Sequence, residues 1–349
     1  MSKMKINMYA VGLDIQGQGV GSACIEQMEM VKNIPEFEVE INPKHKKNKC
    51  DIRHIHTVNP GHFFLLNKKR INICDVHFIP EIDDGSLKMP KFMFKPYRAY
   101  TLKFYRKADE IIVVNPYFID DLKKIGIPEE RITYIPNVVS KTRFHTISLE
   151  DKNKVRESIG LKADEFVVLG VGQTQTRKGI QDFVKIAERN PNMKFIWAGG
   201  FTFGKITAGY EEIKKMMDNP PSNMKFLGIV DRNKMNDLYN ACDVLFLPSY
   251  QELFPMTLLE CINCDKPFLV RDLELYDRIF TKEYIKGTNN DEFEEILRKM
   301  HDDEAFYKKA QDISIELAKF YSVENVTKLW KDYYTRLYEK YPNKVIKNK

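Results

Sequence analysis

Glu252 and Glu260 lie eight positions apart where an apolar strand pattern passes into a helical one. The apolar run ends at Pro248–Ser249, Glu252 falls in the loop that follows, and Glu260 falls in a helix that begins near Met256. The N-terminus of a helix exposes backbone N–H groups that bind phosphate, here those of Met256 and Thr257. A carboxylate in the helix can accept the hydroxyl groups of a ribose, and one in the loop can reach a sugar beyond the phosphates. Two glutamates at this separation are common and usually mean nothing, but a pair within a pattern of strand, Pro-Ser, loop, helix and Lys-Pro is much rarer.

A second segment combines positive charge with aromatic rings. Between Asp84 and Asp109 the sequence has no acidic residue, and six aromatic residues alternate with the basic ones. A helix entered at Pro96 would carry amphipathic side chains whose cations can reach anionic headgroups of a bilayer. A solvated helix with core-facing rings is one alternative. Nucleic-acid binding is another, although no recognition module accompanies the charge.

The composition restricts the class of protein. At 349 residues the length predicts two domains, and 43% hydrophobic residues suffice for a buried core. No apolar run approaches the roughly 18 residues of a membrane span, and the polar first ten residues are not expected to be a secretory leader. Six cysteines in so long a chain favour a reducing compartment over a disulfide scaffold. We therefore expect a cytosolic α/β protein, with a formal net charge of +6, rather than an integral membrane, secreted or fibrous one.

Short apolar strands alternate with helical stretches along most of the chain. The predicted strands are Lys5–Val11, Ile52–Thr57, Arg70–Phe78, Glu110–Asn115, Arg131–Ile135, Glu165–Gly170, Lys194–Ala198, Met224–Leu227, Val244–Leu247 and Pro267–Val270. The predicted helices are Gly21–Lys32, Tyr117–Ile125, Gly179–Arg189, Tyr210–Met217, Arg232–Ala241 and Met256–Cys264. Near-continuous apolar strands are typical of a parallel sheet covered by helices on both faces. Two successive series of this kind predict two doubly wound domains.

The domain boundaries follow from composition. We expect one Rossmann-like domain over residues 1–150 and a second over residues 151–310, with the polar stretch Ser140–Glu157 as the link. A long, charged, tyrosine-rich helical stretch runs over Asp291–Tyr341. We expect its last part, residues 311–349, to pack back on the N-terminal domain.

The segment around the two glutamates resembles the E-x7-E block of the retaining glycosyltransferases of family 4, which have the GT-B fold. Further stretches resemble the same family in the same order, so the likeness covers most of the chain: Gln16–Gln27, Asp51–Thr57, Ile135–Val139 and Val171–Gly179. The resemblance implies two Rossmann-like domains that face a central cleft. The N-terminal domain would bind the acceptor and the membrane, and the C-terminal domain would bind the nucleotide sugar.

The resemblance also implies roles for single residues. The expected catalytic residues are Glu252, which would orient the hexose hydroxyls, Lys178, which would stabilise the diphosphate, and His56, which would contact the donor sugar. Glu260 would hold the ribose. The other expected donor-binding residues are Gly19, Val20, Gly21, Gln173, Arg177, Ile229 (beside the uracil), Phe254, Met256 and Thr257. His77 would position the acceptor hydroxyl, and a buried structural histidine is the alternative.

The sequence departs from the family pattern at two places. Gln173 stands where an arginine is usual, so one positive charge on the diphosphate is missing unless Arg177 supplies it. Leu253 and Pro255 stand where glycines are common. Because proline has no backbone N–H, the diphosphate donors would come from its neighbours in the chain.

Narrower likenesses indicate a subgroup. Five stretches resemble bacterial diglucosyl- and galactosylglucosyl-diacylglycerol synthases: Val76–Pro90, Phe195–Gly200, Pro220–Val230, Ser249–Glu260 and Arg271–Tyr276. The implied reaction is retaining transfer of glucose or galactose from UDP-hexose to α-glucosyl-diacylglycerol. Neither a cofactor nor a metal is implied, because oriented cations and N–H groups can stabilise the departing UDP.

This subgroup gives the basic segment a purpose. The protein would be peripheral, on the cytoplasmic face of the cell membrane, and would contact its anionic surface through Lys91, Lys95, Arg98, Lys103, Arg106 and Lys107. One alternative is a family 4 enzyme that acts on a soluble or cell-wall glycan. The second is a non-catalytic GT-B partner subunit, against which the presence of Glu252, Glu260 and Lys178 argues.

Overall fold

The computed structural model describes residues 3–13, 19–44, 49–77, 91–201, 204, 207, 209–280 and 283–345, with only the backbone of 91–94. Its strands are β1 Met4–Tyr9, β2 Phe37–Ile41, β3 Ile52–Ile55, β4 Ile71–Val76, β5 Glu110–Val113, β6 Ile132–Tyr134, β7 Val167–Val171, β8 Lys194–Ala198, β9 Met224–Gly228, β10 Val244–Leu247, β11 Phe268–Arg271 and β12 Lys286–Gly287. Its α-helices are α1 Gly19–Lys32, α2 Pro60–Phe63, α3 Lys91–Lys107, α4 Phe118–Lys124, α5 Leu149–Ser158, α6 Ile180–Arg189, α7 Tyr210–Asp218, α8 Arg232–Ala241, α9 Met256–Asn263, α10 Glu274–Asp277, α11 Asn290–Asp302, α12 Glu304–Phe320 and α13 Val323–Lys340.

The strands form two separate parallel sheets. The N-terminal sheet has the order β2-β1-β3-β4-β5-β6, and the C-terminal sheet has the order β12-β11-β10-β7-β8-β9. The strand order reverses between β1 and β3 in the first sheet and between β10 and β7 in the second. Ligands of doubly wound sheets bind at the carboxyl ends of the strands beside such a reversal. The prediction of two doubly wound α/β domains is confirmed.

The predicted strands are the apolar ones, and the two strands outside the prediction lie at sheet edges. β3, β4 and β5 are buried along their whole length, which explains their continuous apolar runs. β2 contains the exposed side chains of Glu38 and Glu40 and borders only β1. β12 has only two residues, Lys286 and Gly287. Edge strands carry a weaker apolar signal because solvent reaches them.

The expected helical stretch Asp291–Tyr341 divides into three helices. The side chain of Asp303 accepts a hydrogen bond from the backbone N–H of Phe306, and Ser322 caps α13 in the same way. Helix α12 packs on the C-terminal domain, while α13 buries Trp330 and other apolar residues in the core of the N-terminal domain. The part that returns to the N-terminal domain therefore begins at Val323.

Two sequence boundaries need correction. The expected link Ser140–Glu157 contains most of helix α5, whose buried Arg156 pairs with Asp243 at 2.7 Å. Polar composition concealed this helix, because its one buried side chain is an arginine. Helix α3 begins at Lys91, so Pro96 lies inside the helix rather than at its start. A proline near the start removes only one intrahelical hydrogen bond.

Candidate active site

The expected donor-binding residues follow β7 and β10, the two strands at the reversal of the C-terminal sheet. β7 leads through a loop to a short 3-10 turn, Thr176–Lys178, and β10 leads to the loop that holds Glu252. Across from them, the backbone N–H of His56 donates to the carbonyl of Tyr9 at 2.9 Å, so the ends of β1 and β3 are joined. The carboxyl ends of both sheets thus carry the expected site residues.

Gly179 allows the loop after β7 and the loop after β10 to contact each other. Its φ of +69° lies in the left-handed region, and a Cβ at this position would stand 2.2 Å from the carbonyl oxygen of Pro248. Only glycine fits so close to another backbone. The N–H of Tyr250 also donates to the carbonyl of Arg177 at 2.8 Å. These contacts bring the loop of Lys178 against the loop of Glu252.

Lys178 and Glu252 form an ion pair. Lys178 Nζ lies 2.5 Å from Glu252 Oε1, and the two side chains are 15% and 6% exposed. Burial lowers the pKa of Lys178, although Glu252 opposes the shift. Burial pushes the pKa of Glu252 upward, but the cations of Lys178 and Arg177 outweigh it and hold that pKa below its ordinary value. Glu252 is therefore ionised at neutral pH, and its carboxylate favours the charged form of Lys178 against the effect of burial.

Gln173, which stands where the family usually has an arginine, belongs to a row of three hydrogen-bonded side chains. Gln175 Nε2 donates to Gln173 Oε1 at 2.8 Å, and Arg177 Nε donates to Gln175 Oε1 at 2.9 Å. Arg177 also lies close enough to Glu252 to lower its pKa. Gln175 is almost fully buried, and the sequence motif gave no reason to select it. This row of side chains orients the guanidinium of Arg177 beside the buried ion pair.

Glu260 is buried in helix α9, as the helical pattern predicts. The hydroxyl of Tyr239 donates to its Oε2 at 2.8 Å, and Arg232 lies 3.9 Å from its Oε1. Burial raises the pKa of Glu260. Arg232 also contacts Glu26 of helix α1 at 2.8 Å, and Arg143 contacts the same carboxylate at 2.9 Å. Glu26 thus joins the N-terminal domain to Arg232 of helix α8, the arginine that lies beside Glu260.

The remaining donor-side residues surround this centre to different degrees. Phe254 and Met256 are buried, Thr257 is half-buried, and Ile229 is 47% exposed at the end of β9. The phenyl ring of Phe254 packs against Tyr321, so only its backbone remains for a ligand. Two asparagines of the N-terminal domain hold this loop from the other side: Asn115 donates to the carbonyl of Leu253 at 2.9 Å, and Asn137 donates to that of Phe254 at 3.4 Å. Sequence reasoning did not select Asn115.

Helix α1 begins in the glycine loop at Gly19, two residues before the predicted start at Gly21. A Cβ at Gly19 would meet open space, and Val20 is 36% exposed. Gly21 is buried, and a Cβ there would lie 3.3 Å from the carbonyl oxygen of Gly12. Residues 14–18 of this loop, and the acidic residues Glu81, Asp83 and Asp84 after His77, lie outside the described residues.

His56 lies in a buried cluster at the ends of β3 and β4. Its Nδ1 is 2.7 Å from Asp75 Oδ2, and Asp75 Oδ1 is 2.6 Å from His54 Nε2. His77 Nε2 lies 3.7 Å from Cys24 Sγ and 3.9 Å from Asp75 Oδ2. Burial lowers the pKa of His56, and it lowers that of His77 to about 4. His56 and His77 are therefore neutral at neutral pH.

The same cluster contains the residues that could ligate a metal. Cys24, His56 and His77 form one such group, and His54, His56 and Asp75 form another. The second group is already joined by its own short contacts. In Cys24, burial holds the pKa of the thiol well above its ordinary value, so the thiolate that a metal needs is disfavoured. That no metal is required stays a prediction.

Helix α3 presents the basic residues on the surface of the N-terminal domain. Lys95, Lys103, Arg106 and Lys107 are exposed and Arg98 is half-buried, whereas the side chain of Lys91 lies outside the described part. Lys107 Nζ lies 4.0 Å from the ring centre of Phe63 and donates to its carbonyl at 2.9 Å. The adjacent Phe64 is 77% exposed, and sequence reasoning did not select it. No helix in the described ranges has the length and apolar content to cross a membrane.

Two segments of the chain match known protein families. Residues 17–143 match the family described as Glycosyltransferase Family 4. Residues 151–318 match the family described as Glycosyl transferases group 1. The two matches together include the glycine-loop residues, the histidine cluster, the Lys178–Glu252 pair and Glu260.

Individual proteins resemble the chain over nearly its whole length. It is 38% identical over 337 residues to the alpha-galactosylglucosyldiacylglycerol synthase of Streptococcus pneumoniae. The aligned region covers 96% of this chain and 90% of that protein. It is 27% identical over 322 residues to the processive diacylglycerol alpha-glucosyltransferase of Acholeplasma laidlawii, with 90% and 95% covered. The solved structure of Anabaena HepE in complex with UDP-glucose matches the fold with a TM-score of 0.73 and 15% identity, over 95% of this chain and 100% of that one. The chain is therefore a member of glycosyltransferase family 4, an enzyme with the GT-B fold.

Proposed function

We propose that the protein transfers a hexose, glucose or galactose, from UDP-hexose to α-glucosyl-diacylglycerol with retention of the anomeric configuration. The observation that carries the proposal is the buried Lys178–Glu252 ion pair at the strand reversal of the C-terminal sheet. The similar galactosylglucosyldiacylglycerol synthase and the similar diacylglycerol glucosyltransferase support the glycolipid acceptor, and the UDP-glucose complex of Anabaena HepE supports the donor.

The ion pair suits a nucleotide sugar because each of its two side chains can give up its contact with the other and bind a group of the ligand instead. Lys178 would turn to the diphosphate together with Arg177, and Glu252 would accept hydroxyl groups of the hexose. The N–H groups at the start of α9 would bind the same diphosphate, and Glu260 would accept the ribose hydroxyls while Tyr239 holds its other oxygen. Lys178 and Glu252 thus keep each other ionised in a buried site until the donor arrives.

In the proposed reaction, the bond between the anomeric carbon and the β-phosphate oxygen breaks, and a bond from that carbon to the acceptor oxygen forms on the same face. The acceptor proton passes to the departing phosphate oxygen, so no protein nucleophile is needed. Charge develops on the leaving UDP, where Lys178 and Arg177 stabilise it. His56 would hold the hexose from the N-terminal side, and His77 would position the acceptor hydroxyl.

The acceptor lipid requires that the enzyme reach a membrane surface. Helix α3 supplies the cations of Lys95 and Lys103, and Phe64 next to it supplies an exposed apolar ring. Basic residues attract anionic headgroups, and an aromatic ring can enter the interface. We place the enzyme as a peripheral protein on the cytoplasmic face of the membrane, with this surface toward the lipid.

The test supplies purified protein with UDP-glucose or UDP-galactose and α-glucosyl-diacylglycerol in mixed micelles, and the glycolipid product is separated by chromatography. We expect a diglycosyl lipid from one donor, and loss of product in Glu252→Gln. Glu274→Gln, which changes a glutamate with a 69% exposed side chain, is the matched control and should turn over normally. Transfer only to soluble glycosides, or full turnover by Glu252→Gln, would reject the proposal.

A further inference from the structure

Asp75 contacts two histidines at once, and only one of them is expected to meet the substrate. Its two carboxylate oxygens lie 2.6 Å from His54 Nε2 and 2.7 Å from His56 Nδ1. All three side chains are almost fully buried. The rings of His54 and His56 stack with their centres 4.3 Å apart, so the two histidines pack directly against each other.

The network continues into the C-terminal helix. The hydroxyl of Tyr334, in α13, lies 2.7 Å from His54 Nδ1. Tyr334 is fully buried and 280 positions away from His54 in the sequence. Helix α13, which returns to the N-terminal domain after crossing from the other one, is thus joined by short polar contacts to His56.

We propose that Asp75 is a positioning residue for His56, and that Tyr334 holds the other end of the network through His54. This inference rests on the proposed role of His56 at the donor sugar. An ionised carboxylate only accepts hydrogen bonds, so each histidine presents an N–H to Asp75. The Nδ1–H tautomer leaves Nε2 of His56 without a proton, ready to accept a hydrogen bond from a sugar hydroxyl.

One distance and one unpartnered atom support this assignment of the tautomer. Nδ1 of His56 lies 2.7 Å from Asp75 Oδ2, although the two atoms are not aligned as a full hydrogen bond in this structure. Nε2 of His56 is fully buried and has no hydrogen-bond partner among the described residues. A buried nitrogen without a partner is costly, and a hydroxyl of the bound hexose would satisfy it. The arrangement corresponds to that of a carboxylate that fixes the tautomer and orientation of a working histidine.

The experiment compares Asp75→Asn and Tyr334→Phe with a neighbour on the same helix. Tyr333→Phe is the matched control, because the hydroxyl of Tyr333 is buried and has no partner among the described side chains. The amide that replaces the carboxylate in Asp75→Asn can accept only one of the two N–H groups, so we expect kcat to fall about tenfold or more. Tyr334→Phe should lower kcat less, and Tyr333→Phe should not change it. The dissociation constant of UDP, which lacks the hexose, should be the same in all the proteins.

A spectroscopic readout separates positioning from general stability. With the seven histidines labelled with ¹⁵N, we expect strongly low-field ring N–H signals for His54 and His56, and their shift in Asp75→Asn and Tyr334→Phe but not in Tyr333→Phe. Wild-type kcat in both network variants, with these signals moved, would overturn the inference. If Asp75→Asn fails to fold, Tyr334→Phe, which keeps the ring and removes one hydroxyl, decides alone. Full turnover by His56→Ala would instead reject the role of His56 in the proposed function.

Discussion

Buried carboxylates in this protein stay ionised because basic side chains from a neighbouring loop or strand contact them. Glu252 stays ionised in a buried place because Lys178 and Arg177 face it. Asp75 stays ionised because His54 and His56 contact its two oxygens, although burial alone would raise its pKa. The residues of the site therefore act in pairs, and a change to one partner alters the other.

His77 gives a test at the residue scale. Burial lowers its pKa to about 4, while the nearby Asp75 and His56 act in opposite directions. The folded protein keeps His77 neutral, and the unfolded chain takes up a proton as the pH falls below about 6.5. The stability that this group contributes is thus complete above pH 6.5 and is lost as the pH falls toward about 4.

We therefore expect the free energy of unfolding in urea to fall by about 2 kcal/mol from this group between pH 7 and pH 5. His77→Gln should lose that part of the decrease and keep the part that His56 contributes. His301→Gln, at a partly exposed histidine on helix α11, should keep the wild-type difference. The same pH dependence in His77→Gln and in the wild type would show that His77 is not held neutral by the fold.

At the scale of elements, the site depends on two loops that touch. Gly179 has φ +69° and leaves no room for a Cβ beside the carbonyl of Pro248. Gly179→Ala should cost at least about 2 kcal/mol of unfolding free energy, because it adds a clash to a left-handed residue. It should also separate Lys178 from Glu252 and weaken UDP binding measured by calorimetry.

Gly19→Ala is the control for stability in this experiment. A Cβ at Gly19 meets no atom of the described residues within 4 Å. Its unfolding free energy should therefore remain near that of the wild type. If Gly179→Ala were as stable as Gly19→Ala and bound UDP normally, the close approach of the loops would not be what builds the site.

Helix α3 and Phe64, which follows helix α2, give the second prediction at this scale. Lys95→Glu/Lys103→Glu should lower binding to vesicles that contain anionic lipid about tenfold or more, because each basic residue near such a surface contributes about 1 kcal/mol. Phe64→Ser should weaken the part of vesicle binding that remains at high salt. Lys308→Glu/Lys309→Glu, at exposed lysines of α12, should bind like the wild type.

The measurement is vesicle co-sedimentation at low and high salt, with neutral and anionic lipid. Salt screens exposed charges, so wild-type binding should fall as salt rises. Equal binding to neutral and anionic vesicles, or equal loss in the α12 control, would contradict contact through α3.

Most of the fold could be predicted, because buried parallel strands have continuous apolar runs. The same pattern concealed polar residues inside strands and at their ends: Asp75 lies in β4 and Asn115 shortly after β5. The motifs of Lys178 and Glu252 could be expected to lie close together, because they follow strands whose carboxyl ends meet at one edge of the sheet. Tyr334 could not be found, since nothing local in a sequence indicates a contact across 280 positions.

At the scale of the whole molecule, residues of both domains contact the candidate site. Asn115 of the N-terminal domain holds the loop next to Glu252, Glu26 contacts the arginine beside Glu260, and α13 of the C-terminal stretch reaches the histidine cluster. Asn115 and Glu26 of the N-terminal domain therefore help to position the loop of Glu252 and the arginine beside Glu260 in the C-terminal domain. This arrangement agrees with a donor bound between the domains, with its nucleotide on one side and its hexose toward the other.

A crystal structure of the protein with UDP-hexose tests this account most directly. It should show the diphosphate at Lys178 and at the start of α9, the ribose at Glu260, and the hexose between Glu252 and His56. Lys178 and Glu252 should have exchanged their 2.5 Å contact for contacts with the ligand. A nucleotide bound elsewhere, with the Lys178–Glu252 contact intact, would contradict the account.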